Sequence, residues 1–240
     1  MKKVFIALLF SSFMLNSCAQ GINLGKVAEA VLGSSGGALS SDDIAAGLKE
    51  ALVKGASVGA DVVSKENGYL GNAKIKIPFP EDVQRVETAL RKIGLGNEVD
   101  KFVMALNHGA EEAAKEAKPI FVSAIKQMTI TDALSILKGE QDAATQYLTR
   151  TTTAELTNLF SPVVEKALSK TGATKNYSDL ANTYNQIPFT KKVDPDLVGY
   201  ATQKAIDGLF IMIAEEEAKI RKDPLARTSD LLKKVFGSNL

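Results

Sequence analysis

The chain has no tryptophan, one cysteine and one histidine among its 240 residues. A lone cysteine excludes an intrachain disulfide. A lone histidine, His108, excludes a di-iron bundle, which needs two Glu-x-x-His motifs. No Gly-x-Ser-x-Gly elbow accompanies it to build a Ser-His-Asp triad. An excess of one charge is missing too: Lys plus Arg total 29 and Asp plus Glu 28. That balance lacks the clustered positive footprint on which nucleic-acid binding relies. Strands do not alternate with helices, and there is no heptad seam or solenoid repeat, which argues against a doubly wound or repeat fold. The glycines at 94 and 96 and at 68 and 71 follow no buried strand, so a phosphate-binding loop is not expected. No cofactor or metal site is expected.

What the chain does have is one long apolar stretch, 197–220, in which only Asp207 and Gly208 interrupt the run from Ala205 to Ala214. A helix apolar on most sides must be covered on several sides. The expectation is an all-α fold: one multi-helix domain around this central, buried C-terminal helix, with at most a short edge β-hairpin.

The front of the chain has a different character. Lys2 and Lys3 precede an apolar run, 4–15, broken only by Ser11 and Ser12. It is shorter than the roughly 20 residues that span a bilayer, and reads as a signal peptide over 1–17. The run closes Leu15-Asn16-Ser17-Cys18, which resembles a bacterial lipobox, so Cys18 is the expected lipid attachment site. The alternative is an ordinary signal peptide followed by an incidental thiol. Residues 18–40 read as a lipidated tether rich in Gly, Ser and Ala, with a short amphipathic stretch at 22–32. By resemblance to lipoprotein sorting in enterobacteria, Ala19 after the cysteine favours an outer-membrane lipoprotein facing the periplasm.

The body, 41–240, reads as successive helices. Ser41 is the expected first N-cap, with Asp42 and Asp43 in the first turn. Gly47, Gly55 and Gly59 share one face of that helix and invite close approach of another backbone. Helices are predicted over 81–93 and 97–118, with a break at Pro119. Further helices are predicted over 132–138 with Thr131 as cap, 142–170 with a kink at Pro162, and 178–185. Asp194-Pro195 is the expected start of the central helix, Asp223-Pro224 its end, and Thr228 the cap of a last helix. Ile77-Pro78-Phe79 recurs as Ile187-Pro188-Phe189. The two are either paired edge strands or extended connectors.

The runs IPFPEDVQRVETALRKIG, ILKGEQDAATQYLT and GYATQKAIDGLFIMIAEEEAKIRKDPLARTSDLLKKVFG together resemble an uncharacterised family of bacterial secreted proteins and lipoproteins, the domain of unknown function 4197. The resemblance covers about 41–237. It implies a helical periplasmic domain, and it carries no activity, ligand or catalytic residue to transfer.

Candidate polar sites are few. His108 has Glu111 one turn away. The threonines 151–153 beside Arg150 are a weak anion site or an exposed piece of helix. Glu140, Gln141, Asp142 and Arg150 form the best candidate for a polar recognition corner. Asp207, set among apolar neighbours, is expected to be buried and paired. Glu217 continues the apolar stripe of the central helix through Ile206, Phe210, Ile213 and Ile220. It is expected to pair with Arg221 or Arg227 and so hold the last helix. Two functions remain open. One is a non-enzymatic envelope lipoprotein that binds a protein or a lipid-like ligand. The other is a periplasmic hydrolase or other enzyme using carboxylates such as Asp207 and Glu217.

Overall fold

The helix Leu197–Lys222, here α8, makes two of the three largest packing surfaces of the body. The computed structural model describes residues 40–170, 172–186, 188–189, 192–227 and 229–237. The expected signal peptide, Cys18, residues 18–39 of the expected tether and the proposed cap Thr228 lie outside the described residues. Among the described residues, seven helices precede α8: α1 (Ser41–Val63), α2 (Gln84–Lys92), α3 (Gly96–Ala114), α4 (Ala117–Gln127), α5 (Ile130–Lys138), α6 (Ala143–Ser169) and α7 (Ala173–Asn185). After it come a 3₁₀ turn, Pro224–Ala226, and α9 (Asp230–Gly237). The structure is 77% helical, and there is no strand among the described residues.

α8 is long and apolar enough to cross a membrane, with a mean hydropathy of 1.2 in its best window, yet 56% of that window is buried within the fold. It packs against α1, α6 and α3, and more lightly against α7. Its buried positions include Leu197, Ala201, Ala205, Ile206, Leu209, Phe210, Ile213 and Ile220. Three- and four-residue steps alone would give one stripe. The additional buried positions widen that stripe into a surface that several helices cover.

Two glycines set the closest approaches to α8. A Cβ on Gly59 of α1 would lie 2.9 Å from the Ile213 side chain and 3.2 Å from its backbone nitrogen. A Cβ on Gly208 would lie 2.7 Å from the Tyr69 ring. Gly208 is therefore the notch into which the fully buried Tyr69 fits, with its hydroxyl donating to the Ala205 carbonyl at 2.6 Å. Burial, with the Glu111 and Asp207 carboxylates nearby, holds the phenol far above its ordinary pKa.

Caps fall a residue or two from the expected positions, for local reasons, while α7 starts at Ala173 rather than 178 and α3 ends at Ala114 rather than 118. Ser40, not Ser41, caps α1. Its hydroxyl accepts from the Asp43 backbone while the Asp43 carboxylate accepts from Ser40, which closes a capping box. Thr129, not Thr131, does the same for α5 through Asp132. The cap of α8 is Asp196, which accepts from the Gly199 amide at 2.8 Å, rather than Asp194-Pro195. α3 ends at Ala114, before Pro119, and the proline sits in the first turn of α4. A first-turn residue has no intrahelical acceptor for its N–H, so proline costs little there. α6 runs continuously through Pro162.

Residues 74–80 are a connector, not a strand. Asn107, fully buried on α3, donates to the Ile77 carbonyl and accepts from the Ile77 amide, both at 2.8 Å. One side chain thus supplies the pairing that a neighbouring strand would otherwise give. The Tyr200 hydroxyl adds a bond to the Pro78 carbonyl at 3.2 Å. Burial, with Glu81 and Tyr177 nearby, pushes that phenol up to about 12, so it remains a neutral donor. Ile187 lies outside the described residues. Phe189 is fully exposed with φ of 63° and takes no part in any such pairing.

Candidate functional site

Because Asn107 holds Ile77 against α3, Phe79 is fixed two residues on, with its ring 4.8 Å from that of Phe102. The two rings form one wall of an open groove of about 530 Å³. The floor consists of Val99 and Ala105 of α3 with Ala173 and Tyr177 of α7, all buried. Leu90 of α2 closes a side, and Leu95 and Met104 form the lip, 43% and 39% exposed. The polar lining residues stand at the edges: Glu98 and Lys101, ion-paired with each other at 3.1 Å, and Asn176 and His108. From Leu95 to His108 the groove follows α3 for about 20 Å at 1.5 Å per residue. At that length its volume suits a single hydrocarbon chain in cross-section.

His108 is half exposed, and its Nδ1 lies 2.7 Å from Glu111 Oε2. Glu111 is buried, and its other oxygen accepts from the backbone amides of Tyr69 at 3.0 Å and Leu70 at 3.1 Å. The carboxylate therefore anchors the turn after α1 and orients the imidazole. Neither hollow that His108 borders is lined by a serine, threonine or cysteine. Among the described residues, no group of three or more His, Cys, Asp or Glu is placed to hold a metal ion.

The remaining candidates separate. Glu140, Gln141 and Asp142 are exposed at the α5–α6 turn. Arg150 lies two turns further along α6, over the Tyr147 ring, and its charge acts on Asp132. The four residues do not converge. The threonine hydroxyls of α6 turn back onto the helix: Thr149, Thr151, Thr152 and Thr153 each donate to the carbonyl four residues earlier. They are not arranged for an anion. Asp207 is exposed and accepts from Gln203, which corrects the expectation of a buried carboxylate. It lies about 15 Å from Glu217 along α8, so the two carboxylates share no cleft.

Glu217 is buried and acts as a structural joint. α6 has no capping bond from its own N-cap residue, Asp142. Glu217 supplies it from α8, accepting from the Ala144 and Thr145 amides at 3.0 and 2.8 Å and from the Thr145 hydroxyl at 2.8 Å. Arg221 pairs with Glu217 at 2.8 Å and donates to Ile136, in the last turn of α5. The pair thus clamps the α5–α6 turn and not the last helix. Arg227 performs the latter task by donating to the carbonyls of Ile220 and Arg221 and lying over the Phe236 ring.

Sequence reasoning missed the groove, Asn107 and the anchoring role of Glu111. A signal for the groove was present. α3 carries Phe102 and Ala105 beside the stripe that Val99, Val103, Leu106 and Ala110 form at three- and four-residue steps, more apolar surface than one packing face needs.

Fold and site together define an all-α domain with a buried hub helix and a single-chain-wide apolar groove at its side. Residues 38–237 match the family described as "Protein of unknown function (DUF4197)", and the chain belongs to that family. Comparison with curated proteins and with solved structures gives no significant match.

Proposed function

We propose that this domain is a non-enzymatic binding module of the bacterial cell envelope that takes an acyl chain, or another apolar chain of that girth, into the groove along α3. The supporting observation is the lining: a buried aromatic and aliphatic floor with polar groups only at the edges, as ligand pockets of a few hundred Å³ usually show. Its placement in the envelope is supported by the N-terminal sequence. Lys2, Lys3, the 4–15 run and Cys18 support export and lipidation, and several acyl chains on Cys18 would anchor the protein firmly. Replacing Cys18 with Ala should release the protein from the membrane fraction. Unchanged fractionation would count against the anchor.

The absence of tryptophan makes the groove testable. Met104→Trp places the only indole of the chain at the groove's lip, and Ile211→Trp places it on the exposed face of α8. A brominated fatty acid should quench the first saturably and leave the second nearly unchanged. No saturable quenching of Met104→Trp, or equal quenching of both, would rule the groove out as the binding site.

A further inference from the structure

The groove does not end at His108. Ala105 and His108 also line a second hollow of about 680 Å³ between α3 and α6. The two hollows meet along α3, and their charges differ. In the first, the only full cation, Lys101, is engaged by Glu98. The second is walled by Lys166 in the last turn of α6 and Lys170, the C-cap residue four positions on. Both lysines are exposed, and neither has an ion-pair partner among the described residues. The one carboxylate in that hollow, Glu112, is engaged by Lys115. Positive charge without a local partner is therefore concentrated at one end of an otherwise apolar channel. His108 stands at the junction, with its ring held at Nδ1 by Glu111 and Nε2 left without a hydrogen-bond partner among the described residues.

We infer that the two hollows form one bipartite site for a single-chain lipid with an anionic head. The acyl chain lies in the groove along α3, and the carboxylate or phosphate head rests against Lys166 and Lys170, with His108 lining the passage between them. The inference rests on the groove reading above and adds the polarity and the head-group chemistry of the ligand. A flat interface would give neither the apolar run nor its one charged end. A chain-wide groove closed by two unpaired lysines selects an anionic amphiphile over a neutral one, because an ion–ion hydrogen bond to an ammonium is stronger than one accepted by an uncharged hydroxyl.

The test compares binding of radiolabelled palmitate and of hexadecanol to the purified full chain, in the native protein and in a Lys166→Ala/Lys170→Ala variant. Palmitate is expected to bind about tenfold or more tightly than the alcohol, the size of one charge-assisted hydrogen bond. The double variant is expected to abolish that preference while leaving hexadecanol binding unchanged, and Lys166→Arg/Lys170→Arg should restore it. Both lysines are exposed, one in the last turn of α6 and one at its C-cap, so their replacement leaves the core intact. Equal binding of acid and alcohol by the native chain, or a preference that survives in the double variant, overturns the head-group assignment and leaves the groove reading standing. Binding of neither overturns both. Displacement of palmitate by millimolar inorganic phosphate with hexadecanol unaffected confirms an anion subsite. Phosphate binding with no contribution from the acyl chain reduces the site to one for free anions and overturns the inference.

Discussion

Glu217 and Arg221 face each other one turn apart on α8, with side chains only 7% and 10% exposed, and each also binds a different helix end. Removing one partner of such a pair strands the other charge and typically costs about 3–5 kcal/mol. Glu215, two residues earlier, pairs with the largely exposed Lys74, and a surface pair contributes less than about 1 kcal/mol. Glu217→Ala should therefore lower the melting temperature by about 10 °C, since 1 kcal/mol shifts a domain of this size by about 2–4 °C. Glu215→Ala should change it by no more than about 3 °C. Equal, small losses in the two variants would show that Glu217 acts as surface charge.

The α1–α8 contact gives opposite expectations for two glycines one turn apart. A Cβ on Gly55 would meet Ile220 at an ordinary 3.6 Å, whereas one on Gly59 would press into Ile213. Gly55→Ala should gain up to about 1 kcal/mol from helix propensity alone. Gly59→Ala should lose about 1–3 kcal/mol through overpacking. Chemical denaturation of the two variants gives the sign directly, and a gain at Gly59 would contradict the packing described.

Among the described residues, Asn107 alone pairs both backbone groups of Ile77 through its side chain. Asn107→Leu leaves a buried amide and carbonyl unmatched, at about 1–3 kcal/mol for each group. The expected local effect is faster hydrogen exchange at Ile77 and, because Phe79 forms a wall of the groove, weaker binding of an acyl chain. Unchanged protection at Ile77 would mean that the connector is held by other contacts.

The capping box of α5 makes a pH-dependent contribution. The Thr129 hydroxyl and backbone amide lower the Asp132 pKa below its ordinary value. A depressed carboxylate stabilises the fold above its unfolded pKa, near 4, and that contribution fades as pH falls through the folded value. The stability difference between the native chain and Thr129→Ala should therefore be largest at neutral pH and shrink below about pH 4. A difference that grows on acidification would be the wrong sign.

Much of this architecture was legible from residue spacing. The apolar width of 197–220 identified the hub, the shared face of Gly55 and Gly59 identified where another helix comes close, and the stripe from Ile206 to Ile220 marked Glu217 as buried. Asp207 was misjudged because its neighbours along the chain are apolar. Its neighbours on the helix are Gln203 and Ile211, four residues either side, and all three lie on the exposed strip of α8. Cap positions shifted by a residue or two because Ser40 and Ser41, or Thr129 and Thr131, are equally good caps by type, and only the position of the aspartate three residues on decides between them. The groove was hidden for a different reason. It depends on Asn107 meeting Ile77 across 30 residues, a pairing with no local signature.

The Tyr69 hydroxyl reaches a carbonyl 136 residues further along the chain. The notch that receives it, and the surface that covers α1, belong to a helix finished only at Lys222. During synthesis or passage through a pore, N-terminus first, the early helices emerge with the apolar faces that α8 will cover still bare. Local helices can flicker, but closure waits on contacts of long sequence separation. A product truncated anywhere before α8 is complete should be aggregation-prone and quickly degraded, and not a smaller stable fold. The same delay would keep the chain extended until its last quarter has cleared whatever channel it passes through.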